Sequence, residues 1–139
     1  MKVAYPARIT WNPTDNVHEV IFPDLEGCIT FGETREEALE MASDALSGYL
    51  KSIIARGLDI PQSSSDPSAD MIAPMPSVAF AIWLRNLRKA SGMTLTEVAE
   101  KLGVKYQVYQ RLENPETSNP TLKTIKRIEK VFGQAALNV

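Results

Sequence analysis

The 139-residue chain has one cysteine, Cys28, and one histidine, His18. A single cysteine excludes an internal disulfide, and with it the small stapled scaffolds of secreted proteins; a free thiol fits a reducing compartment. Neither residue has the companions that a metal site needs, since structural zinc takes several Cys or His donors at short spacing. Cys28 is therefore expected to be a small buried hydrophobe, and His18 an ordinary strand residue. No run of about eighteen apolar residues occurs, so no membrane-spanning helix is expected. The opening Met-Lys-Val-Ala-Tyr-Pro lacks a signal-peptide layout, and the expected location is cytoplasmic. No Gly-rich phosphate loop and no Ser-His-Asp set are visible. Neither catalytic residue, nor metal, nor cofactor is expected.

What is present reads as a soluble, folded protein, with 44% apolar and 23% charged residues. The length suits one ordinary domain or two small ones. A net charge of −2 hides a strong asymmetry. Residues 1–76 hold five Lys/Arg against twelve Asp/Glu, a charge of −7, while residues 77–139 hold ten against five, a charge of +5. A basic half suits a polyanion and an acidic half a basic protein. The expected boundary lies there, with domains at 1–76 and 77–139.

The first half starts in a period of two. Val3, Tyr5, Ala7, Ile9 and Trp11 alternate with polar neighbours over residues 2–11, which predicts a strand. Pro6 lacks a ladder donor, so its amide is expected to face outward or to sit at a bulge. Turn residues 12–16 lead to a second strand at 17–22, and Cys28 to Phe31 makes a short third. The period then lengthens. Thr34 with Glu37 is a capping-box spacing that starts a helix, and Leu39, Ala42, Leu46, Tyr49, Leu50 and Ile53 share one face up to the stop at Gly57. Residues 58–69 read as a flexible loop, and Met71 to Met75 as a short strand. The predicted domain is β-β-β-α-β, and the class of the whole chain is α+β.

Residues 77–133 read as short helices throughout. Ser77 is the expected cap of the first, which carries Phe80, Leu84 and Leu87 and ends near Ser91-Gly92. Thr94, with Glu97 three residues on, caps the next, whose Val98, Ala99 and Leu102 face inward before Gly103. A third helix, Lys105 to Leu112, follows after only two residues. Residues 114–120 form a polar loop, and Leu122, Ile125, Ile128, Val131 and Phe132 line a last helix. Two short helices joined by a tight Gly-containing turn are the helix-turn-helix signature.

Leu84, Leu87-Arg88, Gly92-Met93-Thr94, Glu97 to Val104 and Arg111 to Asn114 closely resemble the Xre/phage-repressor helix-turn-helix family. Leu95 stands where the family commonly has Gln, and Pro115 where Gly usually follows Glu-Asn. Upstream, Pro23-Asp24-Leu25-Glu26-Gly27-Cys28-Ile29-Thr30-Phe31-Gly32-Glu33-Thr34, continued by Glu36-Glu37-Ala38, resembles the hallmark of HicB antitoxins, with Glu26 for the frequent Pro. That resemblance runs on through Ala42, Ala45, Leu46 and Ile60-Pro61 to Pro76-Ser77. It implies an antitoxin that neutralises a small basic RNase toxin of the HicA type and represses its own operon. It also implies a partial RNase H-like fold for the first domain. The acidic residues Asp24, Glu26 and Glu33 are the candidates for the toxin-facing side. RNase H chemistry itself needs carboxylates that hold two metals; Asp15, Glu19, Asp24 and Glu26 fall in a turn, a strand and a loop, so no catalysis is expected.

The recognition helix of such a motif faces the major groove. Lys105, Tyr106, Gln107 and Gln110 are the exposed candidates, Val108 is suited to a thymine methyl, and Tyr109 and Leu112 are expected inward. Thr94, Thr96, Arg111 and Asn114 suit phosphate contacts. Operator DNA, a HicA-type toxin and a second copy of the chain are the expected partners, the last because one motif reads only a half-site. Two other readings remain open on the residues: a free-standing regulator whose first domain senses a small molecule, and an interaction module that has lost DNA binding.

Overall fold

Alternating side chains make Tyr5–Asn12 a strand, β1, in the computed structural model, which describes residues 3–134. A turn held by Asn12, whose Oδ1 accepts from the Thr14 and Asp15 amides at 2.9 and 3.2 Å, returns the chain as β2, Val17–Ile21. The third strand, β3, is Ile29–Gly32, and a fourth, β4, is Asp70–Ile72. The sheet is antiparallel in the order β3-β2-β1-β4. Across it lies α1, Arg35–Ala55. Two compact units result: Ala4–Met75, and the helices from Pro76 onward together with Val3.

Thr34 starts α1 as expected, its side chain accepting the Glu37 amide at 3.0 Å. The buried stripe is Ala38, Ala42, Leu46, Ser47, Leu50 and Ile53, spaced at three and four residues, and α1 packs on the sheet, whose Ala7 and Val20 are fully buried. Leu39 and Tyr49 fall at its margin, half-buried, and the Tyr49 hydroxyl donates to the Glu26 carbonyl at 2.9 Å.

Several expectations are corrected. Val3 continues the alternation in sequence but packs on the helical core of the second unit, not on the sheet. Pro6 is fully buried and pairs with Met71 in a central strand. Position 6 has a ladder partner on the β4 side alone, since pairing with β2 begins at Arg8, and this is how a strand interior accommodates it. The last strand is shorter than Met71 to Met75. Residues 58–69 are not a free loop: Tyr5 donates to the Pro61 carbonyl at 2.5 Å, the Asp24 carboxylate accepts from the Ser64 amide at 2.7 Å, and Arg8 meets Asp66 at 3.4 Å.

Cys28 is 4% exposed, and burial pushes its thiol up from the ordinary 9.0 to about 11. The thiolate is the reactive form. Alkylation of the native chain near pH 8 should therefore run at least about 100-fold slower than after unfolding in urea, two decades of thiolate fraction being lost. Equal rates in the two states would contradict this burial.

The second unit is built of four helices: α2 Pro76–Ala90, α3 Leu95–Leu102, α4 Tyr106–Leu112 and α5 Leu122–Phe132. Ser77 is not the cap of α2; Pro76 occupies the first helical position, where a missing N–H costs nothing. Phe80, Trp83, Leu84, Val98, Ala99, Leu102, Tyr109, Leu112, Ile125 and Ile128 form one core. Among the described residues no helix is long and apolar enough to cross a membrane.

Candidate functional site

The two helices at the centre of the second unit are fixed by their ends. Thr94 caps α3 with a full capping box: its hydroxyl oxygen accepts the Glu97 amide at 3.1 Å while Glu97 Oε1 accepts the Thr94 amide at 3.2 Å. A hydroxyl that accepts still has a proton to give, and Thr94 and Thr96 are both exposed at the start of α3. Gly103 closes the helix in the left-handed region, φ +70°, and this sharp turn sends the chain into α4 three residues later.

In α4, Tyr109 and Leu112 point into the core, as expected. At about 100° per residue this turns Gln107 and Arg111 to the opposite side. Lys105, Tyr106, Gln107, Val108, Gln110 and Arg111 are all exposed, so α4 presents one continuous polar and basic face with Val108 in it. Lys105 is the residue before the first turn and makes no side-chain cap. Asn114 is exposed, but its Oδ1 accepts the Glu116 amide at 3.0 Å and its carbonyl accepts from Ser118 at 2.8 Å, so it also shapes the following loop. Thr117 donates to the Arg111 carbonyl at 2.9 Å, closing that loop on α4. The two departures from the repressor pattern face inward: Leu95 is half-buried against the core and Pro115 is buried.

The groups that aim this face were not singled out in the sequence. Glu113 caps α4 at 6% exposure and takes a forked pair of bonds from Arg88 of α2, Nε to Oε2 at 2.6 Å and Nη2 to Oε1 at 3.0 Å. Tyr109 also donates to Glu113 Oε2, and Arg88 Nη1 donates to the Met93 carbonyl at 3.2 Å. The hydrogen bond to Glu113 raises the Arg88 guanidinium above its ordinary range; burial, then the bond to Glu113, raises the Tyr109 phenol. One network thus ties α2, the α2–α3 turn and the end of α4. Its signal was available: Glu113 lies four residues after Tyr109, a charge on the buried stripe of a helix.

In the sheet unit the acidic candidates separate. Asp24 is engaged with Ser64, whose hydroxyl donates to it at 2.9 Å in addition to the amide. Glu26 and Glu33 are exposed at the two ends of β3. Asp15 and Glu19 both approach the Asn12 side-chain amide, at 3.3 and 2.7 Å. Among the described residues no three His, Cys, Asp or Glu converge as a metal site would require.

Comparison with known proteins agrees with this two-part reading. Residues 4–81 match the family model of the HicB-like antitoxin of bacterial toxin–antitoxin systems, and residues 84–135 match that of the helix-turn-helix. The chain is 33% identical over 108 residues to antitoxin HicB 2 of Photorhabdus laumondii subsp. laumondii, covering 78% of this chain and 76% of that protein. It is 34% identical over 111 residues to antitoxin HicB of Escherichia coli (strain K12), covering 79% and 80%. A solved toxin–antitoxin complex from Streptococcus pneumoniae contains a chain 21% identical, with a TM-score of 0.47 over 72% of this chain and 95% of that one. With more than half its length in the family model and relatives above 30% identity over more than three quarters of it, the chain belongs to the HicB-like antitoxins and carries a C-terminal helix-turn-helix domain.

Proposed function

We propose that this chain is the antitoxin of a type II pair, acting in the cytoplasm: its sheet unit neutralises a HicA-type RNase toxin, and its helix-turn-helix represses the operon that encodes both. It has no catalytic role and takes no cofactor. One observation carries the reading, the union in a single chain of an antitoxin-family sheet unit with a helix-turn-helix whose α4 opens a polar, basic face. A DNA-free interaction module fits less well, because Leu95 and Pro115 are turned inward and take nothing from that face.

On the operator, Gln107 and Gln110 read base edges, with Tyr106 and Val108 beside them. Thr94, Thr96, Lys105, Arg111 and Asn114 hold phosphates and set the register. Tight repression takes two half-sites about one helical turn apart, so the working form is at least a homodimer. Its contact is α5, which leaves Leu122 71% exposed. The cations Lys123, Lys126, Arg127 and Lys130 on the same helix make that contact firmer as salt rises.

The test is titration of the full chain on the DNA upstream of its gene and on random duplex, at several salt concentrations. Gln107→Ala should cost about 1–3 kcal/mol on the operator and almost nothing on random DNA, which is bound electrostatically. Lys105→Ala should weaken both and lower the salt slope by about one. Wild-type chain that ignores the upstream DNA, or that fails to stop RNA cleavage by the toxin, overturns the reading.

A further inference from the structure

The sheet has a second face. Strand register puts Arg8 and Thr10 of β1, Val17, Glu19 and Ile21 of β2, and Ile29 and Phe31 of β3 on the side away from α1. Ile21 is opposite Ile29, and Glu19 opposite Phe31. Ile29 is 62% exposed, Phe31 59% and Ile21 46%. A sheet with one face in water ordinarily shows polar residues there, and an apolar cluster of this kind on an edge strand marks a contact surface.

Beside it runs a groove of about 290 Å³, lined by Val17, Ile29, Thr30 and Phe31 together with Asp15 and Glu19. Apolar walls leading to two carboxylates match the shape of a long cationic side chain: methylenes lie along the walls, the charge meets the carboxylates, and the Phe31 ring offers its face. Glu33 continues the Ile29–Phe31 row beyond the strand. The cation on the same face, Arg8, is already paired with Asp66 at 3.4 Å.

We infer that this open face, rather than the turn carrying Asp24 and Glu26, is the seat of the toxin, with one of its Lys or Arg side chains in the Asp15–Glu19 groove and apolar side chains on Ile21, Ile29 and Phe31. The inference rests on the antitoxin reading above. Charge selects the occupant. A second copy would set Glu19 and Asp15 against like groups in a unit whose four Lys/Arg face twelve Asp/Glu, a net charge of −8, and a polyanion is repelled outright. A small basic protein meets no such opposition. Asp24 takes the Ser64 amide and hydroxyl on both of its oxygens, whereas Asp15 and Glu19 each take a single bond from the Asn12 side-chain amide.

The experiment uses the full chain and a purified small basic RNase toxin of the HicA type, with affinity, RNA cleavage and sedimentation as readouts. Ile29→Thr with Phe31→Thr keeps two β-forming residues at exposed positions. It should weaken toxin binding about 30-fold or more, as loss of interface hot spots does. Glu19→Gln should slow association and flatten its salt dependence, and Glu26→Gln should change little. Circular dichroism verifies the fold of the double variant; Glu19→Gln decides the matter if that variant is damaged. Wild-type chain that binds no toxin overturns the antitoxin reading and this inference together. Wild-type binding that survives both the double variant and Glu19→Gln overturns the inference alone. So does a loss confined to self-association, which assigns the face to a second copy.

Discussion

Arg88→Met should cost the helical unit about 3–5 kcal/mol. The substitution keeps the aliphatic stem but leaves Glu113, at 6% exposure, with a charge and no counter-ion. Removing one partner of a buried pair is worse than removing the pair, because the survivor keeps its desolvation penalty. A unit of this size has little stability to lose, so operator binding should fall with the folded fraction. Urea unfolding followed through Trp83, which sits in the same core, measures it. A triple replacement, Arg88→Met with Glu113→Leu and Tyr109→Phe, discards every member of the network and should recover most of the loss. A midpoint unmoved by Arg88→Met alone would show that the pair is solvated.

Gly32→Ala should cost the sheet unit about 3 kcal/mol, the upper end of what overpacking does. The reason is proximity, since Gly32 is not one of the positive-φ glycines. A Cβ there would land on the Ala38 amide nitrogen, 2.7 Å from the Ala38 Cα and 2.8 Å from the Glu37 carbonyl carbon. All three are backbone atoms of the first turn of α1, so no side chain can swing aside. Gly48, in the middle of the same helix, has nothing within 4 Å of its missing Cβ. Gly48→Ala should accordingly stabilise by about 0.5–1 kcal/mol, by helix propensity alone. Urea midpoints of the two variants should thus move in opposite directions, and a shared direction would refute the account.

That glycine illustrates what the sequence could and could not say. Its place in the Gly-Glu-Thr run was visible, and Thr34 did start a helix, because capping is a local transaction between residues three apart. Thr94 and Gly103 were legible for the same reason. Ala42, Leu46, Leu50 and Ile53 of α1 and the core positions of α3 and α4 followed from period alone, while Ala38 and Ser47 took the inward places expected of Leu39 and Tyr49. Illegible were the facts that depend on distant partners. Val3 obeys the strand alternation, yet which unit it joins is decided by residues some hundred positions later. The loop at 58–69 has the composition of a flexible segment, and only its bonds to Tyr5, Arg8 and Asp24 reveal that it is pinned. Arg88 and Glu113 stood in the recognised motif, but 25 residues apart, with nothing local to pair them. On β3 the two large apolar residues share the open face while Thr30 and Gly32 turn inward; nothing in so short a run tells which face is covered, and the exposed row Ile29–Phe31 is not legible as a surface.

The position of Val3 also orders events in time. Ala4–Met75 is a compact unit with a sheet and helix of its own and can complete itself while the rest of the chain is still being made. The helical unit takes one of its packing residues from the very start of the chain and its core residues Ile125 and Ile128 from near the end. It cannot close before α5 has been made, and the 57 residues from Pro76 to Phe132 occupy roughly 3–11 s of translation at about 5–20 residues per second. During that interval a nascent chain presents a finished sheet beside an unfinished DNA-binding unit. A contact made by the sheet unit can therefore form before the helical unit has closed.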